Sequence, residues 1–325
     1  MADQSTRTLP YGDAAIRDAA RVIDAGGCVA VPTETVYGLA ADATDSSAVA
    51  GIYAAKGRPS FNPLIVHVAN VAAAEAIAVF DDDARTLAAA FWPGPLTLVL
   101  PVRAGAISRL VTAGLGTVAL RVPAHRAMQA LLRATAKPLA APSANASGRI
   151  SPTRAEHVLA SLAGRVPLVI DDGPTSGGLE STIVHGRDVL RPGPITAEAI
   201  RTTLCSRAGG SLEPQVPPSE ALDSRLRGST GVTAPGQLDS HYAPTKPLRL
   251  NATAAARDEW LIGFGPVTGD ATLSASGNLT EAAARLFDEL HRADASDRPR
   301  IAVAPVPATG LGEAINDRLR RAAHR

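Results

Sequence analysis

KGRPSFNPLIVHV, Lys56–Val68, is where a helical pattern gives way to a strand. Upstream, SSAVAGIYAAK follows Asp45, a residue type that caps helix N-termini, and stops at Gly57, a residue type that ends helices in the left-handed conformation. Downstream, Leu64, Val66 and Val68 alternate with Ile65 and His67, which predicts a strand with His67 on the second face. Pro59 keeps Arg58 extended, so Lys56 and Arg58, two residues apart, can point the same way. A helix, a short polar turn and a buried strand make the repeating unit of an α/β fold, in which ligand sites gather at strand ends.

The alternation continues outward. Asp13–Ala25 reads as a helix with Ile16, Ala19, Val22 and Ile23 on one face, closed by Gly26 and Gly27 and followed by the buried strand CVAVP. Further strands are predicted at LTLVL, TVALRV, PLAAP, PLVI and STIVH, with helices near 71–79, 83–91, 124–134, 153–162 and 196–204. Residues 1–206 therefore read as one α/β domain. Residues 207–247 turn rich in Gly, Pro and Ser, the composition of a linker. Beyond it, PLRL, WLIGFG, TLSAS and RIAVAPV read as strands and LTEAAARLFDELHRAD and GEAINDRLRRAA as amphipathic helices, giving a small α/β domain over 248–325.

Composition narrows the function. A chain of 325 residues with 46% hydrophobic and 19% charged residues suits about two globular domains. No apolar run approaches membrane-span length, and the N-terminal residues contain no apolar signal core. Two cysteines in no metal or redox spacing fit a cytoplasmic protein. A net charge of +1 and 3% aromatics argue against a tight nucleic-acid binder. Only three of the 32 basic residues are lysines, so Lys56 beside Arg58 stands out against an arginine-rich background. The seven histidines lack zinc-helix spacing, there is no Walker loop, and GFGPVTG resembles a dinucleotide loop only loosely because Pro266 interrupts it. No serine sits in a nucleophile elbow.

What remains is a set of polar clusters at strand ends, each of which, read alone, is equally a polar turn. VPTETVYGLAAD offers Thr33, Glu34, Thr35 and Tyr37. PLAAPSANASGRISP offers Ser143, Asn145, Ser147 and Ser151 in a donor-rich loop able to cradle phosphate without a Walker motif. In TVALRVP, Thr117, Ala119 and Arg121 share a face, and an inward arginine needs a carboxylate, internal or a ligand's. Ser181, Thr182 and Arg191 complete a site suited to neutralising and positioning anions.

Together these segments, with FWPGPLTLVL, GLESTIV, LRPGPI and PGQLDSHYAPTKPL, resemble the threonylcarbamoyl-AMP synthases, the YrdC-like family, in its long two-domain form. The resemblance implies a twisted-sheet YrdC-like domain with a deep cavity and a smaller Rossmann-like domain. It implies a nucleotidyltransferase that makes L-threonylcarbamoyladenylate and pyrophosphate from L-threonine, bicarbonate and ATP, for tRNA threonylcarbamoyladenosine modification. By motif, Lys56 and Arg58 become the catalytic cations. Lys56, Arg58, Asn62, Ser143, Asn145 and Ser151 meet ATP phosphates, Thr117 and Arg191 lie on the nucleotide side, and Tyr242 of SHYAP covers it. Thr35 (or Thr33), His67, Arg121, Ala141 and Ser181 surround threonine, with Arg121 on its carboxylate. Mg²⁺ is expected on the ATP phosphates with no protein metal site, and transfer to tRNA is expected from other proteins, with weak or no direct tRNA binding.

Two other readings compete. An RNA-binding module recognising tRNA or double-stranded RNA by shape would want a basic excess and interleaved aromatics. A protein-directed carbamoyl transferase would carry acylphosphatase and zinc-finger segments of which this sequence has no sign. No residue is singled out as general base, although His67 stands nearest.

Overall fold

The computed structural model describes residues 5–207 and 241–324. The chain enters through β1 (Arg7–Pro10), α1 (Asp13–Asp24), β2 (Val29–Pro32), β3 (Tyr37–Asp42), α2 (Ser46–Lys56) and β4 (Ile65–His67). Next come α3 (Val71–Ile77), α4 (Asp82–Phe91), β5 (Leu96–Pro101), β6 (Thr117–Arg121), α5 (Arg126–Thr135) and β7 (Leu139–Ala140). The first unit closes with α6 (Ala155–Leu162), β8 (Leu168–Asp171), β9 (Thr182–His185), β10 (Asp188–Arg191) and α7 (Ala197–Arg207). The second contains β11 (Leu248–Arg249), β12 (Glu259–Gly263), β13 (Ala271–Thr272), α8 (Leu279–Ala295), β14 (Arg300–Val303) and α9 (Leu311–Ala323).

Local signals decide α2. The Asp45 side chain accepts from the Ser47 amide at 2.8 Å, and Gly57 ends the helix at φ 60°. The ten-stranded mixed sheet of the first unit runs β1-β8-β2-β3-β7-β4-β6-β5-β9-β10. Its faces separate along β2: Val29 and Val31 join Ile16, Ile23, Leu131 and Leu132 of α1 and α5, whereas Ala30 points to the core built on α2, α4 and α6. Burial on both faces explains why β3 escapes a periodicity search. All six of its residues are buried, so the stretch that follows the polar turn at 33–36, for which no strand was expected, is a central strand. The expected strand PLAAP shortens to β7 because the chain then bends into the Ser143–Asn145 loop. β1 and β10, also unanticipated, are edge strands of four residues.

The second unit is a four-stranded parallel sheet in the order β11-β14-β12-β13. The strand expected at TLSAS is displaced to Ala271–Thr272. Most of the linker expected over 207–247 lies outside the described residues. The core of this unit does not stop at its own helices: Leu286, Phe287 and Ile315 pack in one cluster with Val36, Ile150, Leu179 and Tyr242. Gly178 permits the approach, since a Cβ there would stand 2.3 Å from the Ala283 carbonyl oxygen of α8. Arg154 to Asp288 at 2.7 Å and Arg318 to Glu180 at 2.8 Å tie the two units together.

Candidate active site

The ends of β4, β6 and β10 and the loops after β2 and β7 surround one cavity of about 50 Å³. Nine of the sequence-predicted residues line it: Thr35, Arg58, His67, Arg121, Ala141, Ser143, Ser181, Arg191 and Tyr242. Lys56, Asn62, Asn145 and Ser151 are buried and stand behind the wall, bonded to its residues or to one another, whereas Thr117, also buried, begins β6 at the end away from Arg121 and is not among the lining residues. Thr33, the alternative to Thr35, lines it too, and Val36, Glu180 and His241 line the cavity without having been assigned to it. Glu180 is the one acidic side chain among these lining residues, against three arginines, so the cavity is built for anions.

Lys56 explains how the wall is assembled. Its ammonium donates to the backbone carbonyls of Ser143 and Asn145, and its own carbonyl accepts from the Ser147 amide at 2.8 Å. The end of α2 thus holds the serine-asparagine loop. Burial, then the neighbouring Arg58, drives the Lys56 amine well below its usual proton affinity. Arg58 donates to the carbonyls of Asn62 and Pro63 at 3.2 and 2.9 Å, and burial pushes it down to about 10. Both cations bond to carbonyl dipoles in these contacts, an arrangement that leaves their charge available to an incoming anion.

The opposite wall is threaded by Arg121. Its Nη1 donates to Thr35 Oγ1 at 2.9 Å, its Nε to the Gly94 carbonyl at 3.1 Å, and its Nη2 lies 2.6 Å from Glu34 Oε1. The carboxylate partner foreseen for this inward arginine is internal: Glu34 supplies it. Burial raises the Glu34 carboxyl, yet Arg121 outweighs it and holds the group below its ordinary value. Beside it, burial and then Arg121 push His67 down to about 3, so its imidazole is neutral, with a buried Nδ1 that has no partner among the described residues. Thr97 and Ser181 share a hydroxyl hydrogen bond at 2.7 Å, and Arg191 Nη2 donates to the Ser181 carbonyl at 2.9 Å.

His241 and Tyr242 enter from the segment that leads into the second unit. Tyr242 is fully buried at φ 63°, a left-handed conformation costly for a bulky residue, and its hydroxyl has no partner among the described residues. Its ring stacks on His241 at 4.1 Å.

A family model described as "Telomere recombination" (Sua5_yciO_yrdC) matches residues 21–193, and one described as "Threonylcarbamoyl-AMP synthase, C-terminal domain" matches 195–324. The chain belongs to the threonylcarbamoyl-AMP synthase family. It is 40% identical to the "Threonylcarbamoyl-AMP synthase" of Bacillus subtilis, covering 98% of this chain and 95% of that one. It is 37% identical to the protein of the same name from Pyrococcus abyssi, covering 94% and 93%. The solved structure of P. abyssi Sua5 complexed with L-threonine superposes with a TM-score of 0.83 at 36% identity, covering 97% of this chain and 96% of that one. A P. abyssi Sua5 variant with an adjacent histidine and tyrosine replaced by alanine gives the same TM-score. Escherichia coli YciO shares the fold of the first unit, with a TM-score of 0.52 at 21% identity.

Sequence reasoning named Glu34 without giving it a role and missed Glu180. Glu34 and Glu180 sit inside quoted motifs, between threonines and serines that drew attention for their hydroxyls, and nothing local marks them as partners of Arg121 and Arg318. Among the described residues no group of three or more His, Cys, Asp or Glu side chains is placed to hold a metal. No helix among them is long and apolar enough to cross a membrane.

Proposed function

We propose that this chain is an L-threonylcarbamoyladenylate synthase, using ATP, L-threonine and bicarbonate. One observation carries the reading: Arg58, Arg121 and Arg191 converge on a single cavity whose wall includes His67, Thr35 and Ser181 on one side and the loop held by Lys56 on the other. The amine of threonine adds to bicarbonate with loss of water to give a carbamate. A carbamate oxygen then bonds to the α-phosphorus of ATP as the bond to the pyrophosphate oxygen breaks. Both partners are anions, so rate depends on neutralising charge and aligning the displacement.

In this reading Lys56 and Arg58 face the phosphates, with Asn62, Ser143, Asn145 and Ser151, while Thr117, Arg191 and Tyr242 attend the nucleoside. Thr35, His67, Arg121, Ala141 and Ser181 hold threonine. Glu34, Thr35 and the Gly94 carbonyl each take one nitrogen of the Arg121 guanidinium and so fix the plane that its remaining hydrogens present to the amino acid's carboxylate. The cavity's charge does not fit a resident divalent cation, since Glu180 is already engaged by Ser151 and Arg318. Mg²⁺ therefore comes with the triphosphate as part of the substrate. His241 and Tyr242 line this cavity and in this reading close over the nucleotide. In the same reading residues 207–247 join domains at 1–206 and 248–325. The product passes in the cytoplasm to proteins that transfer it to tRNA.

Pyrophosphate release is the test. Release requiring ATP, threonine and bicarbonate together is expected; release indifferent to omission of either small substrate would refute the reading.

A further inference from the structure

Arg318 lies on α9 of the second unit with none of its surface exposed. A guanidinium so placed is costly unless its donors are used. Its Nε donates to Glu180 Oε2 at 2.8 Å, its Nη1 donates to Asp317 Oδ2 at 2.7 Å, and its carbon lies 5.3 Å from the centre of the Tyr242 ring. Glu180 lines the cavity, and its other oxygen accepts from Ser151 Oγ at 2.5 Å. Asp317 is steadied in turn by Arg321 Nε at 3.1 Å. Through these side-chain contacts Arg318 reaches Tyr242 and Ser151, both assigned above to the nucleotide, and no side chain assigned to threonine, its one link in that direction being the peptide bond from Glu180 to Ser181.

We infer that Arg318 is a positioning residue for the nucleotide: from the second unit, it fixes the Glu180 carboxylate, and through it Ser151, while supporting the Tyr242 ring. The inference rests on the reading that this cavity takes ATP. Without the guanidinium, Glu180 is a buried anion, and Arg191 is the other cation whose charge acts on it. Arg191 would then be drawn toward the protein's own carboxylate and away from the nucleotide, and an unscreened negative charge would face the triphosphate. ATP affinity thereby becomes dependent on docking of the second unit, and threonine affinity does not.

Calorimetric titration of the full chain with α,β-methylene-ATP and, separately, with threonine tests this. Arg318→Met is expected to weaken the ATP analogue about tenfold or more while threonine changes by less than about twofold. Arg318→Lys, which keeps the charge but loses the fork, is expected to fall between. Adding Glu180→Gln to Arg318→Met removes the unpaired anion and should recover part of the lost affinity. Equal losses for both ligands, undiminished ATP affinity in either single variant, or no recovery in the double variant would overturn the inference. Should Arg318→Met not fold, Arg318→Lys decides: selective weakening of the ATP analogue supports it and unchanged binding overturns it. Wild type that binds the analogue but releases no threonine-dependent pyrophosphate refutes the synthase reading alone. Failure of wild type to bind the analogue sinks both.

Discussion

His157 and His291 stack across the boundary between the two units, with ring centroids 3.7 Å apart and planes 16° from parallel. Burial, then His291, pushes His157 down to about 3, against the opposing pull of Asp288, with Arg154 adding to the depression. Burial also lowers His291, whose Nε2 lies 3.1 Å from the Ser151 carbonyl, with Asp294 and Asp288 opposing. The folded state therefore resists protons that an unfolded histidine accepts near 6.5. The contribution of His157 is complete above that value and declines as pH falls from it toward 3, by up to about 1.4 kcal/mol per pH unit, with His291 acting in the same direction. Urea titrations from pH 8 to pH 5 should show this decline, with a shallower slope in His157→Gln. Equal slopes would assign the pH dependence to other groups, the buried His67 and His241 first.

Lys56→Met should separate function from folding. The ammonium is buried against backbone carbonyls, so replacing it removes a desolvation cost as well as two hydrogen bonds. Stability should change by no more than about 2 kcal/mol, whereas turnover falls by about 100-fold or more. Thermal denaturation beside pyrophosphate release measures both, and a parallel loss would make Lys56 structural.

Removing the Tyr242 hydroxyl has opposite effects on the empty and loaded protein. Buried without a partner among the described residues, it costs the empty state about 1–3 kcal/mol relative to a paired group, so Tyr242→Phe should melt no lower than wild type. ATP affinity should fall by about three- to tenfold if the hydroxyl meets the nucleotide. An unchanged ATP titration would leave the ring, not the hydroxyl, as the contributing group.

Gly178→Ala tests the approach of α8 to the cavity loop. Its φ of 69° disfavours a side chain, and the added carbon would overlap the Ala283 carbonyl. A destabilisation of about 2–5 kcal/mol is expected in chemical denaturation, with ATP binding weakened. A wild-type melting curve would mean that the two units separate without consequence.

Where residues near in sequence settle the conformation, the sequence was legible. Asp45 and Gly57 bound α2, Leu64 to Val68 alternate into β4, and the cationic turn between them reaches the cavity. β3 was hidden because burial on both faces erases the alternation that reveals a strand. That Arg121 needs a carboxylate followed from its place on a strand, but the choice of Glu34 depends on how β2 and β6 assemble. Lys56 and Asn145 share one hydrogen bond across 89 residues, and which polar groups enter the cavity, rather than bracing its wall, is set by such contacts.

Glu180 and Arg318 are separated by 138 residues. During synthesis the first unit emerges early and can bury its sheet while the rest is still being made. Its cavity then already contains the arginines that attract anions, but Glu180 waits for a guanidinium not yet translated. If Arg318 positions the nucleotide as proposed, competence for it waits for α9: a nascent or prematurely terminated product that stops short of Arg318 carries the pocket without its brace.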